Sequence, residues 1–565
     1  MQLLWTKSLA ESLANGAGID SKNIEINLPP KNVSDADFCV PLFRLAKEAG
    51  KSPADYASGL ISNWDKPEIV ADAAVNGGFL NIKLDREVAA RQLMEYLAEG
   101  EPLRHISMAG QNIVIEHTSI NPNASPHVGR ARNAMLGDTL VRTFRTLGAD
   151  VDARYYVNDM GKQIALLAIA VREKGQLPFD EMLDAYIDIN KRVEHEPELE
   201  ATAFEMIRLL ENGDQAIKQE FRDVVSTCLS GQGKILSRLG IEFNHYDWES
   251  DFVDISKFDE FVSKVEAKHA LAPDAEGRTV VDLQKLGFDK EEGRYLVLKR
   301  ANSSSLYVFR DLLYNKFKAG LDADRTIIVL GEDHKLYYDQ LTKLLAVDGE
   351  ENSEAVFYSY VLLKDGKMST RKGNVVLLSE LIDDLESAAA AKIEENKGGN
   401  TADSQQAEET AKAVARAACR FSFLRVSAGA NIQFDADNAL KFEGDTGPYV
   451  QYTAVRAQSV LDKKPDAGFG SLKDMDWSNL EDSEWELVRE ISKIDTVFKR
   501  AADNMETPPL CDYSLQLARA YSRFYTNCQV IGSPQEERRF ALTRAAVSGL
   551  KKTTHALGIE IPSKM

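Results

Sequence analysis

Cysteine is scarce and scattered. The five present, Cys39, Cys228, Cys419, Cys511 and Cys528, form no C-x-x-C pair, which argues against a zinc knuckle and against a disulfide framework. Long apolar runs are missing as well: no window approaches the roughly 18 consecutive apolar residues of a membrane helix. The opening MQLLWTKSLAESLANG has amphipathic helical spacing without a secretory cleavage pattern, so the cytosol is the expected compartment and no membrane partner is expected. Positive charge is also short, with 68 Lys and Arg against 88 Asp and Glu and a net charge of −20. That balance disfavours a generic polyanion binder. It leaves RNA open, because phosphate contact needs only a local basic patch.

At 44% apolar and 28% charged, the 565-residue chain reads as globular, with length for about three or four domains. No internal repeat is evident. Residues 1–104 read as a small α+β unit: a helix from Leu3 to Leu13, an extended stretch from Ile24 to Pro30, a turn from Asp35 to Val40, a helix from Pro41 to Glu48, a strand from Gly77 to Leu84 and a helix from Arg86 to Ala98. Residues 105–400 carry short β-branched runs at Ile113–Ile115, Val151–Val157, Thr326–Leu330 and Val356–Leu363, separated by helical spacing. That is the pattern of a doubly wound, parallel, Rossmann-like sheet. Two insertions interrupt it: a mostly helical one at about 175–244 and a second at about 251–301, with strands at Thr279–Leu283 and Tyr295–Leu298. Gly231-Gln232-Gly233-Lys234 has the wrong spacing for a phosphate loop and is assigned a helix bend, while Asn158-Asp159 reads as an Asx cap on the helix from Gly161. After an Ala-rich and then polar stretch, residues 401–565 read as an all-helical C-terminal domain. The fold class is thus multidomain α/β.

The most informative stretch is NIVIEHTSINPNASPHVGRARNAMLGD, from Asn112 to Asp138. A strand, an Asn/Pro/Ser loop and a helix start direct backbone N–H groups and a positive dipole end at whatever lies above the strand. His127, Gly129 and Arg130 fall at that mouth. Alone, this is either a phosphate or nucleotide site or a plain strand–turn–helix.

Far downstream, Lys367-Met368-Ser369-Thr370-Arg371-Lys372-Gly373 supplies a second cationic, Gly-bounded segment. Together the two resemble the signature sequences of class I aminoacyl-tRNA synthetases. Asn121-Pro122-Asn123, Arg132-Asn133-Ala134, Tyr155 to Gln163, Tyr307 to Asp311, Thr446 to Tyr452 and the terminal Leu557-Gly558-Ile559 narrow the resemblance to arginyl-tRNA synthetases over essentially the whole chain. Arg130 stands where the common pattern has a second His, and Thr370 where it has a second Lys. Arg130 keeps a fixed cation and a planar donor fork.

The resemblance implies an ATP-dependent ligase that makes arginyl-adenylate from L-arginine with ATP and Mg²⁺, then passes the arginyl group to the 3′ end of arginine tRNA, with tRNA bound before activation. It implies catalytic roles for His127, Arg130, Lys367 and Arg371, and ATP contacts for the first three of these with Gly129, Asn133, Met368, Ser369 and Thr370. Arginine would be held by Asn121, Asn123, Glu249, Tyr307, Asp311 and His334, the last where many members have Gln. Two acids suit a guanidinium, whose donor fork pairs bidentately. Residues 1–104 would meet the tRNA elbow. Tyr449, Tyr452, Arg456 and Met565, joined by Arg519, Arg523 and Tyr525, would meet the anticodon, as aromatic faces beside cations suit unstacked bases. No zinc is expected, and a monomer is. Two rivals remain from the residues: a paralogue with a non-tRNA acceptor, and a non-catalytic tRNA-binding descendant.

Overall fold

The structure, a computed structural model, describes residues 1–29, 36–123, 125–299, 307–350, 353–363, 366–367, 376–397, 404–465 and 475–565. Among them no helix is long and apolar enough to cross a membrane. The chain divides into two compact units, one of Met1–Ser107, Tyr449–Asp503 and Asp512–Thr554, the other of Met108–Pro448, Asn504–Cys511 and His555–Met565.

The second unit is built on five parallel strands: β1 (Asn112–Glu116), β2 (Asp150–Val157), β3 (His245–Trp248), β4 (Arg325–Gly331) and β5 (Glu354–Tyr358), in the order β5-β4-β1-β2-β3. Its β-branched runs form strands because both faces are covered; Ile113, Val114 and Ile115 of β1 are all buried. The helices that matter here are α1 (Val128–Thr146), α2 (Lys162–Lys174), α3 (Gln215–Arg238), α4 (Tyr307–Ala319), α5 (Lys335–Asp348) and α6 (Ser404–Leu424). Strand order reverses at β1, which continues to β2 on one side and borders β4 on the other. A crevice outside the carboxyl ends of β1 and β4 is where such sheets bind ligands. Helix α1 runs through the interior so tightly that a Cβ on Gly137 would lie 2.2 Å from the His117 ring.

The helical insertion, Phe179–Val193, Pro197–Glu211 and α3, shares one apolar cluster with α2. The glycines at 231–234, read as a bend, lie inside an unbroken α3. Gly231 is there because the Phe179 ring would sit 2.1 Å from any Cβ. The second insertion is a small antiparallel sheet of Leu271–Ala272, Thr279–Asp282 and Tyr295–Lys299. The single strand expected at Val356–Leu363 is two. β5 closes the parallel sheet, while Val361–Leu363 pairs with Gly366–Lys367 and with Ile432–Phe434 in a separate sheet.

Helix α6 corrects the expected boundary at 400/401. Its Arg420 is fully buried and donates to Asp138 of α1 at 2.6 Å, to Leu239 O at 3.0 Å and to Leu557 O at 2.5 Å. Composition marks it as C-terminal helix, but this guanidinium binds it to the sheet unit, and the division between units falls at Pro448/Tyr449.

The first unit contains a three-stranded antiparallel sheet with Phe79–Leu84 in the middle, flanked by Phe38–Pro41 and Val70–Asn76. Phe38–Pro41 was expected as turn and helix start. Val70–Asn76 was not expected, since an alanine-bearing edge strand, mostly exposed after Val70, carries little alternating signal. In the same unit, buried Glu484 accepts from Arg538 at 2.9 Å and Arg539 at 2.9 Å, joining helices Asp482–Ser492 and Glu536–Ala556.

Replacing Arg420 by Met leaves Asp138 with Arg142 alone and strips donors from two buried carbonyls. Chemical denaturation is expected to register a loss of about 3–5 kcal/mol, partly recovered by Arg420→Lys.

Candidate functional site

The loop after β1 is held in a conformation it would not adopt alone. Thr118 and Ser119 have φ of 75° and 41°, left-handed values that non-glycine residues keep only when their surroundings impose them. Thr118 N–H donates to Asn133 Oδ1 at 2.6 Å, and Tyr156 N–H donates to Ser119 Oγ at 3.2 Å. The Tyr155 hydroxyl accepts from Ile120 N–H and donates to Ile120 O, each at 2.9 Å, and Gln232 Nε2 donates to Asn121 O at 3.1 Å. Asn133 was expected on ATP. Its amide is instead engaged inside the fold, Nδ2 donating to Val329 O at 2.9 Å, and so positions the loop.

His127 ends the loop in extended backbone and precedes α1 without a side-chain cap bond. The Val128 N–H goes to Val376 O and the Arg130 N–H to His127 O, so the first helical turn offers an anion chiefly its dipole. The His127 Nδ1 is buried without a partner among the described residues. Burial, and secondly the Arg130 cation, pushes its imidazole down to about 4. The ring is thus neutral near pH 7 and would meet a phosphate as a hydrogen-bond donor, leaving Arg130 to supply charge. Gly129 and Arg130 are half-buried beside it.

The chain just beyond the second signature pairs with this turn. Val128 N–H donates to Val376 O at 3.1 Å, Leu378 N–H donates to Pro126 O at 2.8 Å, and His127 bridges Leu377. Upstream, buried Arg132 donates to Ser359 O at 2.7 Å, Ala430 O at 2.7 Å and Ser427 O at 2.8 Å. Helix α1 thereby fixes the chain on both flanks of the Lys367–Gly373 segment. Lys367 is described by its backbone, in the hairpin with Leu362. Met368, Ser369, Thr370 and Arg371 lie outside the described residues.

The acids lie toward β2, β3 and α4. Asp159, read as an Asx cap, is not one: the α2 cap is Gly161, at φ 102°, and Asp159 Oδ1 accepts Ser250 N–H at 2.8 Å, fixing the turn after Glu249. Glu249 was expected to await a guanidinium from outside. It already has one, since Arg310 Nε donates to it at 2.6 Å in a buried pair. Asn158, with its amide turned to satisfy both ends, gives Glu249 a second bond at 3.0 Å. Ion pairing here leaves an acidic surplus. Arg310 serves Glu249 and Glu211, Arg154 serves Asp247 and Asp152, Lys318 serves Glu116, and among the described residues no cation is ion-paired with Asp311. Asp311 accepts the Tyr337 hydroxyl at 2.5 Å and stays partly open to solvent. Desolvation, opposed by that bond, pushes its carboxyl up to about 7. Tyr307 opens α4, and its side chain lies outside the described residues.

Asn121 and Asn123 both turn their Nδ2 toward Gln163 Oε1, each at 3.4 Å. His334 stands exposed after β4, its Nε2 3.8 Å from Asp333. In the other unit, the Arg456 guanidinium lies 4.5 Å over the Tyr452 ring and 5.8 Å from Tyr525, both rings exposed, and donates to the Tyr452 hydroxyl at 2.7 Å. The Tyr449 hydroxyl meets Ser522 Oγ at 3.3 Å, and Arg523 is paired with Glu486. Met565 ends the His555–Met565 segment of the sheet unit. Sequence reasoning missed Arg132, Arg310, Tyr337 and Gln163 as site-builders, because each acts through a partner distant in sequence. Arg132, Arg310 and Gln163 carried a signal only as members of the Arg132–Ala134, Tyr307–Asp311 and Tyr155–Gln163 text, and Tyr337 carried none.

Three family profiles match the chain: the catalytic domain of class I (R) tRNA synthetases over residues 92–435, the DALR anticodon-binding domain over 450–565, and the arginyl-tRNA synthetase N-terminal domain over 4–84. The chain is 33% identical to the arginine–tRNA ligase of Archaeoglobus fulgidus, covering 93% of this chain and 94% of that one. It is 34% identical to the arginine–tRNA ligase of Methanothrix thermoacetophila, covering 96% of each. Among solved structures it superposes on the arginyl-tRNA synthetase of Thermus thermophilus with a TM-score of 0.83 and 26% identity, over 99% of this chain and 100% of that one.

Asp311 keeps its proton in the folded protein to about 7, whereas an unfolded Asp loses it near 4. The folded state binds more protons between these values, so the group's contribution to stability falls as pH rises through that window. Asp311→Asn is expected to raise Tm over wild type at pH 8 and to leave it unchanged near pH 4, as scanning calorimetry would record.

Proposed function

The chain belongs to the arginyl-tRNA synthetase family, and we infer that it is an arginine–tRNA ligase, joining L-arginine to tRNA with consumption of ATP. The observation that carries this reading is the backbone pairing of Pro126–Val128 with Val376–Leu378, which brings the chain just past the second cationic signature to the turn that carries the first. An arginine α-carboxylate oxygen attacks the α-phosphorus of ATP; that O–P bond forms and the bond to pyrophosphate breaks. Such a step needs positioning and charge stabilisation more than a nucleophilic side chain. His127 would donate to a phosphate oxygen, and Arg130 and the α1 dipole would offset the charge. Lys367 and Arg371 would accompany the leaving pyrophosphate, with Gly129, Met368, Ser369 and Thr370 around the nucleotide. A hydroxyl of the terminal tRNA adenosine then attacks the arginyl carbonyl, and AMP leaves.

For the amino acid, we propose that Asp311 takes the guanidinium, with Tyr307 and His334 beside it and Asn121 and Asn123 toward the α-carbon end. Arg310 holds Glu249 at the pocket's edge, so neutral side chains are rejected chiefly by the unpaired Asp311. Among the described residues no group of three or more His, Cys, Asp or Glu could hold a metal ion. Mg²⁺, expected with ATP, would ride on phosphate oxygens and water rather than in a side-chain cage. Residues 1–104 would meet the tRNA elbow, and Tyr449, Tyr452, Arg456 and Met565 the anticodon side. A cytosolic monomer is the working state proposed.

Aminoacylation of total tRNA with each of the twenty amino acids is expected to charge arginine alone, and adenylate formation without charging would overturn the reading. ATP–pyrophosphate exchange is expected to require tRNA. A protonated Asp311 cannot pair with guanidinium, so the KM for arginine is expected to climb as pH falls below about 7. Asp311→Asn should lower kcat/KM roughly a hundredfold or more and flatten that acid limb.

A further inference from the structure

Tyr156 lies at the carboxyl end of β2, one residue past the tyrosine that anchors the strained loop. Its hydroxyl is wholly buried and has no hydrogen-bond partner among the described residues. The nearby phenols differ: Tyr155 is bonded to Ile120, Tyr314 donates to Asp247 at 2.9 Å and Tyr337 donates to Asp311 at 2.5 Å. The Tyr156 ring stacks on Tyr314, with centroids 4.4 Å apart and planes at 25°, and Phe252 flanks it at 6.4 Å. Tyr314 is one helical turn beyond Asp311 on α4, so the stacking fixes Tyr156 against the helix that carries the unpaired acid. After burial itself, Glu249 and Asp311 are the charges that most oppose ionisation of this hydroxyl. It therefore lies in the field of both acids without bonding to either. Buried polar groups are ordinarily satisfied, and a ligand is one way to satisfy this one.

We propose that Tyr156 is a substrate-contacting, specificity-determining residue whose hydroxyl oxygen accepts an N–H from the guanidinium that Asp311 binds. The proposal rests on the reading of Asp311 given above. A guanidinium has five donors on a rigid plane and no acceptor. A carboxylate takes one edge of that plane, and the phenol oxygen takes a donor the carboxylate cannot reach. An ammonium head, as in lysine, gathers its three donors at a single atom, so it spans two separated acceptors poorly. Tyr156 thus favours the planar, extended cation over the compact one.

The test compares wild type with Tyr156→Phe, which keeps the stacked ring and removes only the oxygen. In tRNA aminoacylation the KM for arginine is expected to rise roughly tenfold, the equivalent of one lost hydrogen bond to a charged group, with the KM for ATP within twofold of wild type. The Tm of the unliganded protein is expected to stay level or rise, because no bond is lost there, while the upward Tm shift produced by saturating arginine shrinks. Tyr156→Ala, which also removes the stacking, should lower both Tm and arginine affinity. An unchanged arginine KM in Tyr156→Phe overturns the proposal. So does a rise accompanied by a fall in unliganded Tm, which would mark a structural hydroxyl. Wild type that charges no tRNA with arginine overturns the function and this role together, whereas wild type that charges normally beside an unaffected Tyr156→Phe overturns only the role.

Discussion

Everything at the site depends on one constraint: helix α1 must hold two stretches of chain far apart in sequence against its own first turns. It does so with backbone and with one buried cation. Val128 and Pro126 pair with Val376 and Leu378, and Arg132, two residues beyond Arg130, ties down the carbonyls of Ser359, Ser427 and Ala430. Burial pushes the Arg132 guanidinium down to about 10, still far enough above neutrality to leave it charged. Three carbonyl partners offset its desolvation, and a carbonyl cage suits a cation that must not draw a carboxylate toward the nucleotide. The signature turn beside it is consequently preorganised, down to two left-handed non-glycine residues that the surroundings keep in place.

The same economy of charge shapes the amino-acid side. Buried carboxylates around β1, β2, β3 and α4 are matched by Arg310, Arg154 and Lys318, with Asp311 set apart. The matched pairs hold the walls. The unmatched acid is raised by desolvation toward the pH at which the enzyme works, a cost to the empty protein that a bound cation would relieve. Arg310 keeps Glu249 from adding a second uncompensated charge.

Another buried cation shows what composition does not. Helix α6 has the Ala-rich periodicity of the helices that follow it, yet Arg420 binds it to Asp138, to the end of α3 and to the C-terminal turn. Gly558, at φ 66°, is required there because the guanidinium would lie 2.3 Å from a Cβ. Helical spacing specifies an apolar stripe and is silent about which neighbour covers it.

The sequence by itself determined the parallel sheet, the two cationic signatures and the family, because β-branched runs, turn residues and fixed-order motifs are local and their physics acts within a few residues. It also marked the strands at Thr279–Asp282 and Tyr295–Lys299. Tertiary structure alone decided that Val70–Asn76 is a strand, that Gly231 admits a ring rather than a bend, that Asp159 braces the turn after Glu249 rather than capping a helix, and that Asn133 braces the loop after β1. It decided too that Glu249 is already paired while Asp311 has no ion pair among the described residues. Apart from Val70–Asn76, which pairs with the neighbouring Phe79–Leu84, each of these outcomes turns on a partner tens or hundreds of residues away. Burial and pairing are properties of the folded neighbourhood, and a residue's own letter does not carry them.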